Sequence, residues 1–150
     1  MGEIWWQEVR VWLFRMTGES NLESLLRNMK PMVVQGEYVF CSIQESQLED
    51  LEGPLMVFRE SEGPTVIVTK VVAEKNELDF SSSWGLVSLS IHSDLEAVGF
   101  LAAITSHLAE VGISVNAVSA FYHDHLFVPY ERVDEAMSRL LDLSNASRVK

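Results

Sequence analysis

The sequence predicts an α+β fold in which antiparallel strands are backed by helices and arranged as two units. Its length is the first observation, because 150 residues form one compact domain or two very small ones that share a core. The second is its composition of 47% hydrophobic and 22% charged residues, which is typical of a globular chain and not of a disordered or fibrous one. The third is an element order, strand–helix–strand–strand–helix, that is predicted twice.

The first half of the chain predicts a leading helix and then the first unit. The helix is predicted from an apolar face at helical spacing, formed by Leu22, Leu25, Leu26 and Met29. Ser20 or Asn21 is placed to cap it, and Pro31 ends it. The elements predicted after it are a strand, an acidic helix, a hairpin of two strands and a short helix, over 37–43, 44–52, 55–59 with 65–69, and 70–78.

The second half repeats that order with clearer periodicity. The run LVSLSIH alternates apolar and polar residues over 86–92, which predicts a half-buried strand. The elements predicted after it are a helix that Gly112 ends, two strands and a final helix, over 100–111, 113–121, 126–128 and 131–143. This is the order of a ferredoxin-like βαββαβ unit without its last strand. The strand over 37–43 is the best candidate to complete the second sheet.

Charge and cysteine content exclude several classes of function. Acidic residues outnumber basic ones by 22 to 11, and a net charge of −11 repels both nucleic acid and an anionic membrane surface. No run of apolar residues is long enough to span a membrane. The single Cys41 cannot form an internal disulfide, so a reducing, cytoplasmic setting is expected. Neither a metal nor a cofactor is expected.

An N-terminal extension over 1–15 has an unusual composition. It contains three of the four tryptophans and two acids against two bases, so the whole charge of −11 lies in 16–150. Its apolar residues fit a helix and a strand equally well. Three interpretations stay open: an accessory element packed on the core, a partner-binding stripe, or a leader upstream of a start at Met16. The leader and the accessory element are favoured.

The candidate catalytic and metal-binding residues fit structural roles better than chemical ones. Cys41 lies in a predicted strand between apolar residues, which indicates a buried, inert thiol. His123, Asp124 and His125 have the side chains of a metal site, but they lie in a predicted turn and no fourth ligand has a recognisable spacing. The sequence therefore predicts neither an enzyme nor a metal centre.

Several segments of the chain resemble the ACT domain, a small regulatory ligand-binding module. In the second half these are the strand end Ile91-His92-Ser93, the helix start over 95–100, the run Gly112-Ile113-Ser114-Val115-Asn116 and the closing strand over 126–129. The segments GEYVFCSI, FRESEG, HSDLEAVG and FYHDHLFVP look like those of small, mostly bacterial tandem-ACT proteins. The pair is also similar to the ACT pairs of the cytosolic arginine sensor. The resemblance implies a first ACT-like unit over 16–84 and a second ACT domain over 85–150.

The resemblance further implies a regulatory, non-catalytic homodimer that binds a small metabolite, an amino acid first of all, beside the loop over 92–99. Gly99 at a helix start exposes backbone N–H groups that suit a carboxylate, or it only lets the helix pack closely. The residues expected at the ligand are Ser93, Asp94, Glu96, Ala97, Val98, Gly99, Phe100, Asn116 and Asp124. The competing hypothesis is a protein-interaction module without any small-molecule ligand.

Two charged residues outside that loop have alternative roles that the sequence leaves open. Asp124 either pairs with an amino group of the ligand or is a solvated residue of the turn. Arg59 holds a ligand carboxylate through a two-pronged contact if it faces inward, and otherwise pairs at the surface with Glu60 or Glu62.

Overall fold

The computed structural model of the protein describes residues 18–148, so the predicted extension over 1–15 lies outside the described residues. The elements are, in order, α1 (Leu22–Asn28), β1 (Pro31–Ser42), α2 (Glu45–Asp50), β2 (Met56–Glu60), β3 (Gly63–Thr69), α3 (Lys70–Lys75), β4 (Ser83–Leu89), α4 (Phe100–Ala109), β5 (Asn116–Ser119), β6 (Asp124–Pro129) and α5 (Val133–Ala146). A 3₁₀ turn over Tyr130–Arg132 leads into α5. The predicted α+β class is confirmed.

The strands form one antiparallel sheet in the order β2-β3-β1-β4-β6-β5. β1 and β4 are its central pair, with Val34 opposite Leu86 and Tyr38 opposite Trp84. The prediction that a strand of the first half completes the second sheet is confirmed, because β1 pairs directly with β4. Two strand–helix–strand–strand–helix units therefore share one continuous sheet.

Strand β1 is longer than predicted and begins at Pro31 instead of residue 37. The register of its pairing with β4 shifts between Val34 and Tyr38. Gly36 lies in that irregularity with a φ of +134°, a backbone angle that favours glycine. The bulge breaks the alternation of apolar and polar residues, which is why the pattern hides the first half of this strand.

Two strands of the second unit also lie elsewhere than predicted. β4 covers 83–89 instead of 86–92, because Ser83 and Trp84 pair with β1 and the chain leaves the sheet after Leu89. β5 covers only 116–119, because Ile113 packs into the helical core and not on the sheet. β6 in turn starts at Asp124, before the predicted residue 126.

One face of the sheet is covered by the helices. α1, α4 and α5 pack over β4 and β6 around a cluster that includes Leu89, Ile104, Leu126 and Leu140, all fully buried. α2 and α3 pack over β1 and β3 around a second cluster that includes Cys41. Burial raises the pKa of the Cys41 thiol, which disfavours the reactive thiolate. No helix within residues 18–148 is long and apolar enough to cross a membrane.

The opposite face of the sheet carries a third apolar cluster, which we call the open face. Within residues 18–148 this cluster contains strand residues only, namely Tyr38, Ile67, Leu86 and Phe127 with Val34, Phe40, Met56, Trp84 and Val118 around them. Its aromatic rings meet edge to face, with Phe127 at 5.3 Å from Phe40 and 6.0 Å from Tyr38 between ring centroids. The four central side chains are buried, whereas Phe58 at the β2 margin is 60% exposed.

One histidine on the open face, His125, makes the stability of the fold depend on pH. It lies opposite Val118 in the β5–β6 pair. Burial lowers the pKa of its imidazole and the neighbouring His123 lowers it further, while Asp124 acts in the opposite direction. The unfolded chain, with the ordinary pKa of 6.5, therefore takes up this proton at a higher pH than the folded protein does.

At pH values well above 6.5, the pKa of this group in the unfolded chain, we expect the free energy of unfolding to have its full value. It should decrease as the pH falls below 6.5. His125→Gln should remove this part of the pH dependence, because glutamine does not titrate. Urea unfolding between pH 8 and pH 5.5 measures both slopes. Equal slopes for the wild type and the variant would contradict the expectation.

Candidate ligand-binding cleft

The long loop between β4 and α4 borders a cleft of about 430 Å³, including its open mouth. Its walls come from this loop, the first turn of α4, the end of β5 and the start of β6. The lining residues are Ser93, Asp94, Leu95, Ala97, Gly99, Phe100, Leu101, Ala102, Ser119 and Asp124. The enclosed part of the cleft is about 130 Å³, less than the roughly 300–1,000 Å³ that is usual for the sites of drug-sized molecules, so it has room for a small polar group only.

A buried carboxylate, that of Asp124, forms one wall of the cleft. It is 5% exposed, and it accepts hydrogen bonds from Ser93 Oγ at 2.7 Å and from Ser119 Oγ at 2.5 Å. The prediction of a solvated turn residue is therefore wrong. Asp124 is the first residue of β6, opposite Leu89 and Ser119, so pairing on both sides draws it out of the turn.

The electrostatic environment of Asp124 is unbalanced. Both of its partners are neutral hydroxyl groups. Among residues 18–148, the cleft lining contains no lysine, arginine or histidine, and its only other ionisable side chain is that of Asp94. Burying a carboxylate is costly unless opposite charge or several donors compensate it. The cleft therefore favours a guest that brings a positive group to this wall.

The start of helix α4 forms another wall. Gly99 is the N-cap with a φ of +89°, and no side chain caps the helix there. The first intrahelical hydrogen bond runs from Ala103 N to Gly99 O at 2.9 Å, so the N–H groups over 100–102 have no acceptor within the helix. These groups and the helix dipole favour an anion. A Cβ at Gly99 would only touch Leu22 at 3.4 Å, so glycine is required here by its backbone angle and not by close packing.

The loop of the cleft is held in shape by its own polar groups and by the short segment over 18–20 that precedes α1, which we call the strap. Asp94 Oδ1 accepts from Glu96 N at 2.8 Å, and Ala97 N donates to Asp94 O at 2.9 Å. In the strap, Glu19 N donates to His92 O and Glu19 O accepts from Asp94 N. These contacts fix the Ser93–Asp94 backbone at the mouth of the cleft.

The nine predicted ligand residues are not all in one place. Six of them line the cleft, namely Ser93, Asp94, Ala97, Gly99, Phe100 and Asp124. Glu96 and Val98 belong to the loop but not to the lining, and Val98 is 84% exposed. Asn116 lies opposite Phe127 in the β5–β6 ladder, on the open face and away from the cleft.

Sequence reasoning missed four lining residues. Leu101 and Ala102 simply continue the helix start after Phe100, so the same argument could have included them. Leu95 belongs to the predicted loop. Ser119 had no local signal, because only the register of the β5–β6 hairpin brings it to Asp124.

In the first unit, the start of helix α2 corresponds to the start of α4, and it is built differently. Helix α2 has six residues, and at its start the side chain of Gln47 accepts from Gln44 N at 2.8 Å. Arg59 forms an exposed ion pair with Glu45 at 2.9 Å. The surface role for Arg59 is thus confirmed, although its partner is Glu45 and not Glu60 or Glu62.

The histidines beside the cleft have structural contacts. His123 Nδ1 lies 3.1 Å from the carbonyl oxygen of Ile91, which links the β5–β6 turn to the loop. The ring of His92 lies 5.2 Å from that of Tyr122. Among the described residues, no three His, Cys, Asp or Glu side chains are grouped so that they could hold a metal ion.

Two models of the ACT domain match this chain, over residues 17–84 and residues 81–142. The chain belongs to the ACT-domain family. The resemblance in the sequence and the ferredoxin-like fold it implied are thereby confirmed. ACT domains are regulatory, non-catalytic modules that bind small ligands, and this general role applies to the family to which the chain belongs.

Solved structures with the same ACT fold include proteins from several bacteria. A protein of unknown function from Vibrio cholerae, described as a possible transport protein, is 40% identical with a TM-score of 0.74, over 82% of this chain and 95% of that one. A protein from Agrobacterium tumefaciens is 16% identical with a TM-score of 0.63, over 77% and 89%. The regulatory subunit of aspartate kinase from Thermus flavus is 10% identical with a TM-score of 0.60, over 75% and 95%. A search of curated proteins gives no significant match.

Proposed function

We propose that this ACT-domain protein is a regulatory sensor that binds a small metabolite with the head group of an amino acid. The observation that carries the proposal is the pairing, in one cleft, of the buried Asp124 carboxylate with the uncapped start of α4. The ammonium group of the ligand supplies the positive charge that Asp124 lacks. Its carboxylate accepts hydrogen bonds from the free N–H groups over 100–102.

We also propose that the sensor is a homodimer whose docking responds to the ligand. Support comes from the loop at the cleft, where Leu95 is 64% and Val98 is 84% exposed. Apolar side chains that protrude beside a ligand site are suited to contact a second copy. A ligand that orders this loop would favour one docking geometry over another, which is how binding becomes regulation.

The same protruding residues favour a second candidate function, a protein-interaction module without a metabolite. In that case Leu95 and Val98 dock a partner protein, and the cleft holds only water. The two candidates differ in one measurable respect, because only the sensor is stabilised by a small molecule.

The proposal has further parts that the sequence supports. No catalytic step is assigned to the chain. The division into an extension over 1–15 and units over 16–84 and 85–150 follows the two repeated element orders. A reducing, cytoplasmic setting is supported by the single cysteine, which is buried.

A thermal-shift screen with the twenty amino acids tests the sensor. A ligand at about 100 times its Kd stabilises the fold by about 2.7 kcal/mol, which raises the Tm of a chain of this size by about 5–10 °C. We expect such a shift for one amino acid or a small group of them. No shift across the panel would favour the interaction module.

The variant Gly99→Glu adds a negative charge next to the N–H groups over 100–102 and should abolish that shift. Its matched control is Gly53→Glu, because Gly53 also has a left-handed φ, of +63°, and has no neighbouring atom within 4 Å of its Cβ position. Both variants should lose about 1–2 kcal/mol through backbone strain. A ligand shift that survives in Gly99→Glu would overturn the placement of the ligand.

A further inference from the structure

The open face holds an apolar groove of about 360 Å³ that crosses the sheet from β2 to β5. Its floor and walls include Leu55, Met56, Ile67, Leu86, Val118 and Phe127. Leu55, at its β2 end, is 53% exposed. A sheet normally buries an apolar face against a second layer, and an apolar groove of this kind marks a docking surface.

We propose that residues 1–17 of this same chain cover the groove. This segment contains Trp5, Trp6 and Trp12, together with Ile4, Val9, Val11, Leu13 and Phe14. Tryptophan side chains bury about 150–250 Å² each, more than most other residues. The composition of the segment therefore matches the apolar character of the groove.

The place where the described chain begins allows this contact. Gly18 packs so closely on the cleft loop that a Cβ there would lie 2.3 Å from Asp94 N. Ser93, the residue before Asp94, donates a hydrogen bond to Asp124 at the start of β6. The next residue of β6, His125, lines the groove. Gly18 thus lies near the start of β6 on the helical side of the sheet, and from there the segment reaches the groove by passing around this end of the sheet.

The length of the segment is also sufficient. Six strands have five spacings of about 4.8 Å, so the sheet is about 24 Å wide. Seventeen residues reach about 25 Å even in the compact form of a helix, and about 55–60 Å when extended. Either conformation lets the segment cross from the β6 side of the groove to Leu55.

Charge favours this occupant over a second copy. Residues 1–15 have two acids and two bases, whereas the whole net charge of −11 lies in 16–150. Two copies that met through their open faces would bring two bodies of this charge together over the width of the sheet, with more repulsion than in the homodimer proposed above, which meets at the loop with Leu95 and Val98. A neutral segment attached to the same chain has no such penalty, and its tether gives it a high effective concentration.

Contact quenching of a bimane label by tryptophan tests the proposal in the full-length chain. Leu55→Cys is labelled in a Cys41→Ala background, once with the natural tryptophans and once with Trp5, Trp6 and Trp12 replaced by phenylalanine. Trp84 is present in both chains, so it cancels in the comparison. We expect brighter bimane fluorescence in the chain without the three tryptophans.

The control label is Val71→Cys, because Val71 lies on α3, on the helical side of the sheet, and is 73% exposed. Its fluorescence should not depend on the three tryptophans. The quenching at residue 55 should be independent of protein concentration, as expected for contact within one chain. Quenching that disappears on dilution would identify a second copy as the occupant and overturn the proposal. Equal brightness of the two Leu55→Cys chains would overturn it as well, because the three tryptophans would then not lie near residue 55.

Discussion

Replacement of Leu140 by alanine is expected to lower the free energy of unfolding by about 2–5 kcal/mol. Leu140 is fully buried in the cluster where α5 meets α4 and the sheet, together with Val87, Ile104 and Leu126. Neighbours that are fixed on two helices and a sheet cannot collapse into the space of the missing side chain. Urea unfolding should therefore give a lower midpoint with an unchanged slope.

The next residue of the same helix provides the matched control. Leu141 is 47% exposed, so Leu141→Ala changes the same atoms in the same helix without leaving a cavity. Its effect should stay within about 0.5 kcal/mol, as for most surface substitutions. Similar losses for both variants would mean that α5 does not bury the face assigned to it.

The helices could be predicted from the sequence because their signals are local. Ser20 or Asn21 was expected as the cap of α1, and it is the side chain of Asn21 that accepts from Ser24 N at 2.9 Å. Gly112 was expected to end α4, and it lies just beyond it with a left-handed φ of +70°. A cap or an end depends on three or four neighbouring residues, all of which a reader of the sequence can see.

The strand boundaries could not be predicted, because they depend on pairing. The start of β1 is hidden by the bulge at Gly36, and the start of β4 is set by a ladder to β1. Ser83 is the last of three consecutive serines before Trp84, and such a run has the composition of a linker. Only the partner strand makes that segment part of the sheet.

The cleft was predictable in part for the same reason. A glycine at the start of a helix is a local signal, and it pointed to the correct turn of α4. The burial of Asp124 is not local, because its partner Ser93 is 31 residues away and Ser119 reaches it across a hairpin. The local patterns of a sequence, such as turn residues and periodicity, contain nothing that distinguishes this aspartate from a solvated one.

Replacement of Asp124 by asparagine is expected to weaken amino acid binding by about 10–150-fold, the equivalent of one hydrogen bond to a charged group. Asparagine has nearly the same shape and still offers an oxygen to one of the two serine hydroxyls. It removes the negative charge that, in our proposal, binds the ammonium group of the ligand. Calorimetric titration with the amino acid that gives the largest thermal shift measures the change in Kd.

The control for this variant is Asp142→Asn, which removes the same charge from an exposed position on α5. It should bind the ligand as the wild type does, because an exposed charge far from the site is screened by solvent. If Asp124→Asn also binds like the wild type, Asp124 does not contact the ammonium group. The start of α4 would then be the sole anchor of the ligand, and simple carboxylates without an amino group should bind as tightly as amino acids.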